Sequence, residues 1–127
     1  MSFSSEIKAF GNKTYDKLDK TIRYGIIGMS NAVILDTPVL TGMARNNWHA
    51  SIGAPDYSTD TAPNKNGTTA LNDVRLNSAK ATGNVYYLVN ALDYIKRLEE
   101  GYSKKAPAGM VSINVTKYNK WFRDALK

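Results

Sequence analysis

Apolar residues fall at Ile7, Phe10, Tyr15, Leu18, Ile22, Ile26, Met29 and Val33. Gaps of three to five residues trace one stripe on a helix with 3.6 residues per turn. Lys8, Lys13, Lys17, Lys20 and Arg23 fall mostly off that stripe. Ser4-Ser5 before Glu6 is a capping signal, and the Thr37-Pro38 step is a stop. The pattern predicts a helix from about residue 5 to 35, roughly 45 Å long at 1.5 Å per residue. One small core cannot cover a helix of that length, so part of the stripe is expected to meet something other than this chain's own core. Gly25 and Gly28 either weaken its second half or let another backbone approach.

Beyond Pro38 the periodicity changes. MARNNW reads as a short helical turn leading into the extended segment NWHASIGAP. Residues 54–69 are rich in Pro, Gly, Asn, Ser and Thr and contain the tight-turn pair Asn66-Gly67. ALNDVRLNSAKATG has loose helical spacing and reads as a short helix ended by Gly83 or as an extended arm. Asn84 to Asn90 is the best strand, being β-branched and aromatic between turn residues. ALDYIKRLEEG predicts a helix of two to three turns with Tyr94, Ile95 and Leu98 inward and Gly101 as its stop. The last segment sets Val111, Val115, Tyr118, Phe122 and Ala125 on one stripe, with Pro107 able to sit in its first turn. Its β-branched start leaves strand open for Ile113–Val115, and the tail from Lys117 is helical.

The expected fold is α+β: a long N-terminal helix and a C-terminal helix packed on a small, mainly antiparallel sheet, with a long polar loop. The 127 residues fit one domain, 1–127, with a flexible or projecting loop at about 54–83. MSFSSEIKAF does not read as a secretory signal, and no apolar run is long enough to span a bilayer.

Charge and chemistry alter this picture little. The net charge of +6 is uneven: +2 over residues 1–54, zero over 55–83 and +4 over 84–127. The absence of cysteine excludes disulfides, thiol catalysis and Cys-ligated zinc. His49 is the single histidine and has no HExxH or triad partner in sequence. Glu99 and Glu100 point about 100° apart on a helix, so they do not converge as an acid–base pair. They read as a solvated or ion-paired face, with Lys96 in reach of Glu100. Gly25-Ile-Ile-Gly28 lacks the Lys-Ser/Thr ending of a phosphate loop. No catalytic residue, cofactor site or metal site is expected. Lys104, Lys105, Lys117, Lys120 and Arg123, interleaved with Tyr102, Tyr118 and Trp121, would suit single-stranded nucleic acid. The alternative function is accordingly a small basic nucleic-acid-binding module.

Two blocks carry a more specific signal. One is DTPVLTGMARNNW, with Pro38, Thr41, Gly42, Arg45 and Trp48. The other is YYLVNALDYIKRLEEGYSKKAPAGMV, with Asn90, Tyr94, Leu98, Glu99, Gly101, Ser103, Pro107, Gly109 and Met110. Over about residues 36–112 this layout resembles the neck and tail-completion proteins, or head–tail joining proteins, of long-tailed bacteriophages. Asp93 stands where such proteins often have proline, and Lys105 where they often have glutamine. The resemblance implies a non-enzymatic virion subunit forming a homo-oligomeric ring, six-fold by the family pattern. It would join the head-completion connector to the tail-tube or tail-terminator proteins. It would reside at the neck of the virion, and in the host cytoplasm during assembly. Pro38, Thr41, Gly42, Glu99, Gly101, Ser103, Pro107, Gly109 and Met110 would form structural turns and the oligomer interface. Lys104, Lys105, Lys117, Lys120 and Arg123 would face a partner or, passively, channel DNA. No membrane partner is implied.

Overall fold

The computed structural model describes residues 2–39, 41–101, 106 and 108–127. Helix α1 runs Phe3–Asp36, 34 residues, and starts two residues before the expected position of about 5 because Ser2 is its cap. The Ser2 hydroxyl accepts the Ser5 N–H at 3.2 Å. The remaining elements are α2 (Met43–Asn46), β1 (His49–Ile52), α3 (Thr68–Ser78), β2 (Tyr86–Val89), α4 (Ile95–Glu99) and α5 (Val111–Ala125). The fold is α+β as expected, and the sheet has two antiparallel strands with His49 opposite Val89 and Ile52 opposite Tyr86.

A two-stranded sheet is marginal alone and needs helices against it. Here α1 and α3 supply them: Ile34 and Val74, both fully buried, meet Trp48 and Ala50 in one core. Polar atoms within this core are paired. The Trp48 indole N–H donates to Thr37 Oγ1 at 2.9 Å, and that hydroxyl donates to the Val33 carbonyl at 2.7 Å. Ser30 and Tyr86 join their hydroxyls at 2.9 Å. Burial pushes the Tyr86 hydroxyl up to about 12, against the Ser30 hydrogen bond, so it remains protonated near neutral pH. Asp73 of α3 accepts the Ala50 N–H at 2.9 Å, which occupies a free edge group of β1.

Several expectations are corrected. Of the two readings for residues 70–83 the short helix holds, with 68–78 helical and Ala70, Val74 and Ser78 buried on one face, so the segment 54–83 is not loop throughout. Its first part is pinned to the body rather than projecting. Asn47 donates to the Asp60 carbonyl and accepts the Asp60 N–H, both at 2.7 Å, and Asn46 donates to the Ala62 carbonyl at 3.0 Å. The expected two to three turns after Asn90 shorten to α4. Asn90 accepts the Leu92 N–H at 3.2 Å and donates to the Ala44 carbonyl at 2.8 Å, holding a turn where a helix would begin. Strand is excluded for Ile113–Val115, which lie inside α5. Gly25 and Gly28 admit aromatic side chains, not a backbone: a Cβ on Gly25 would overlap the Phe122 ring, and one on Gly28 would come within 2.8 Å of the Tyr118 hydroxyl.

Those contacts make α5 antiparallel to α1. Asn114 reaches Asp36 at 2.9 Å, Tyr118 lies over Gly28, and Phe122 over Gly25. The packing ends there. Residues 3–18 of α1 are all exposed, an overhang of about 24 Å by helical rise.

Candidate assembly site

Both blocks singled out in the sequence are locally specific. In the first, Pro38 follows the α1 stop, where the Thr37 N–H bonds back to the Ile34 carbonyl at 3.2 Å. Thr41 accepts the Met43 N–H at 3.2 Å. Gly42 has φ +89°, and a Cβ there would overlap the backbone of Asn64 and Lys65. The Thr-Gly step is thus a floor on which the polar loop rests, with the Asn64 N–H donating to the Gly42 carbonyl at 3.4 Å. Arg45 locks this region. Its guanidinium donates to the carbonyls of Lys65 (2.6 Å), Leu35 (2.7 Å) and Thr37 (3.1 Å). It ties the end of α1 to the loop through charge-assisted bonds.

The second block centres on Glu99. Its carboxylate does not lie on a solvated face. Oε1 accepts the N–H groups of Met110 and Val111 at 2.7 and 2.8 Å, and Oε2 that of Ser112 at 3.1 Å. These are orphan donors at the start of α5, so a residue from α4 caps a helix eleven positions away. The negative charge also suits the positive end of the α5 dipole. Burial raises the Glu99 pKa, but the backbone hydrogen bonds from Val111, Met110 and Ser112 outweigh it and hold the carboxyl below its ordinary value. Gly109 completes the joint. It has φ +78°, and a Cβ there would overlap the Glu99 carbonyl and carboxylate. Met110 is fully buried beneath. Gly101, with φ +89°, follows α4 as expected. The ion pairs among the described residues are Asp19–Arg23 and Asp124–Lys127, so the expected Lys96–Glu100 pair is not among them. Ser103, Lys104, Lys105 and Pro107, with Tyr102, lie outside the described residues.

The two blocks meet in space. Asn90 of the second bonds the Ala44 carbonyl of the first. Pro38 and Gly109 line the same open hollow of about 390 Å³, which Ile113 also borders. Thr41 and Gly42 lie instead under the polar loop, away from Glu99's contacts. The site residues therefore divide into a loop-holding group and an α5-holding group.

Lys117, Lys120 and Arg123 are exposed on α5, and two of them border a shallow hollow of about 290 Å³ with Tyr118 and Trp121. Lys117 Nζ sits 5.7 Å from the Tyr118 ring centre. Trp121 is 39% exposed, and its ring meets Phe122 edge-on at 5.3 Å.

His49 borders a polar hollow of about 300 Å³ with Asp56 and Asp73. The carboxylates there are committed elsewhere: Asp73 to Ala50 and Asn77, and Asp56 to Ser58. Hydrogen bonds from the Ser58 side chain and backbone hold the Asp56 carboxyl below its ordinary value. Among the described residues no three His or acidic groups gather as metal ligands, and no helix is long and apolar enough to cross a membrane.

Sequence reasoning missed the contact that Glu99 makes and the tethering role of Asn46 and Asn47. A local signal existed for Glu99 only in the uncapped start of α5, which has no Ser, Thr, Asp or Asn at its cap position, Met110. Comparison with protein-family models, curated proteins and solved structures finds no match for the chain.

Proposed function

We propose that the chain is a non-enzymatic structural subunit of a tailed bacteriophage. It would form a ring, six-fold by the resemblance, at the neck and join the head connector to the top of the tail. The observation that carries this reading is the joining of the two resembling blocks into one unit, from which a 16-residue helical overhang extends. Arg45 and Glu99 hold α1, the polar loop and α5 in fixed relation by hydrogen bonds to backbone groups. Such a body suits a part whose angles are copied around a ring, because head-to-tail contacts close only if the angle between neighbours is right. The resemblance over residues 36–112 supplies the particular place in the virion. The test is electron microscopy of particles made without this protein. Full heads beside finished but unjoined tails are expected; joined particles would overturn the reading.

A second reading, binding of nucleic acid, draws on the exposed Lys117, Lys120 and Arg123 beside Trp121. It requires affinity that falls steeply with salt. Absence of binding to single- and double-stranded DNA and RNA at low salt dismisses it. Binding lost on Lys120→Glu supports it, and within a neck ring the same face would lie against channel DNA.

A further inference from the structure

The first half of α1 has an apolar face that none of the described residues covers. Phe3 is 76% exposed, Phe10 74%, Tyr15 57%, Ile7 55% and Leu18 40%. At 100° per residue these five lie within one side of the helix, the side on which Gly25 and Gly28 receive α5 further along. Three of the five are aromatic, carrying about 150–250 Å² each, so together the partly exposed five present on the order of 500 Å² of apolar surface. A patch of about that size matches the largest on a typical monomer, where it is often functional.

The geometry points to a second copy of this chain as the occupant, with the two overhangs packed antiparallel about a two-fold axis near residues 10 and 11. Three features select this pairing. Two such patches face to face bury roughly 1,000 Å², the lower bound for a specific interface. An antiparallel register centred there sets Phe3 against Leu18 of the second copy and Phe10 against Gly11, whose absent side chain leaves space. A Cβ on Gly11 would meet nothing within 4 Å in the single chain. The charges also match. Glu6, Lys13 and Lys17 share one flank of the stripe, and this register brings Glu6 level with the span between Lys13 and Lys17 of the second copy. An isologous contact of this kind closes on itself, so it hides the patch without growing into filaments. The pairing stands independently of the neck reading, since it concerns the chain before it meets any other virion part.

The test uses the full-length chain. Sedimentation equilibrium is expected to show a concentration-dependent dimer. Phe10→Asp and Glu6→Lys are each expected to weaken association at least tenfold while leaving the far-UV CD melting transition unchanged at concentrations where the parent is monomeric. The chain has no cysteine, so single introduced thiols report the register. Under mild oxidation Gly11→Cys should give a covalent dimer and Asn12→Cys, on the opposite face, should not. A chain monomeric at all concentrations overturns the pairing. Association indifferent to Phe10→Asp, or equal cross-linking of the two cysteine variants, overturns it as well.

Discussion

The two halves of α1 carry one apolar rhythm and meet opposite fates. In residues 25–36 the stripe is interrupted by glycines and reaches the core at Val33, which is buried. In residues 3–18 it carries larger side chains, and every position is exposed. Large apolar side chains such as Phe3 and Phe10 are therefore left in water. A hydrophobic period identifies a face, whereas the residue sizes along that face record how near the covering element comes. Small residues in the second half admit Tyr118, Trp121 and Phe122 of α5. Among the described residues no element lies over the bulky first half, and α5, antiparallel to α1, reaches no further than the region of Gly25.

Substitutions of one residue type in the two halves test this comparison most directly. Ile34→Ala should cost about 2–5 kcal/mol, through lost burial and the cavity left behind. Ile7→Ala should change stability by no more than about 0.5 kcal/mol at low protein concentration. Urea unfolding of both variants measures the difference, and similar losses would mean that the overhang is covered within the chain.

The glycines sharpen it next. Gly25→Ala gains helix propensity but drives a methyl group into the Phe122 ring, so a net loss of about 1–3 kcal/mol is expected as α5 is displaced. Gly11→Ala meets open space within the single chain and, at protein concentrations where the chain is monomeric, should stabilise by about 0.5–1 kcal/mol. Opposite signs in thermal melts are the expected outcome. A gain at both sites would show that α5 yields to Gly25→Ala without cost.

The last test concerns the joint that holds α5 against the second half. Glu99→Ala removes the cap on three N–H groups and should cost about 1–2 kcal/mol. The folded carboxyl titrates below its ordinary value of 4.5. Its contribution is therefore complete above that value and is lost as the pH falls through the folded pKa. Stability measured between pH 7 and pH 3 should fall less in Glu99→Ala than in the parent. Parallel curves would remove the cap from the account.

Elements set by local pattern were legible in the sequence: the span of α1, the stop at Thr37-Pro38, the short α2, both strands and the helical tail. Contacts that depend on distant partners were not. Glu99 sits beside Glu100 with nothing local to show that its carboxylate reaches the start of α5. Asn46 and Asn47 look like ordinary turn residues, yet Asn47 reads the backbone of Asp60 in both directions. α3 was ambiguous because Gly67 and loose apolar spacing gave a weak start, and its helical state is fixed by burying Val74 against α1 and β1. Of the site residues, Gly42 and Gly109 were visible as glycines in a motif. Their physical reason, a close approach by Asn64 and Lys65 or by Glu99, exists only in three dimensions.

The contrast between the two tryptophans makes the molecule its own optical reporter. Trp48 is 5% exposed, with its indole N–H bonded to Thr37, while Trp121 is 39% exposed on the face of α5 nearest Gly25. Dissolved acrylamide or iodide should quench the red-shifted emission of Trp121 and leave the bluer emission of Trp48 nearly untouched. The release of α5 and the melting of the sheet core thus carry different colours, and a single cuvette can follow the two events separately without any attached dye.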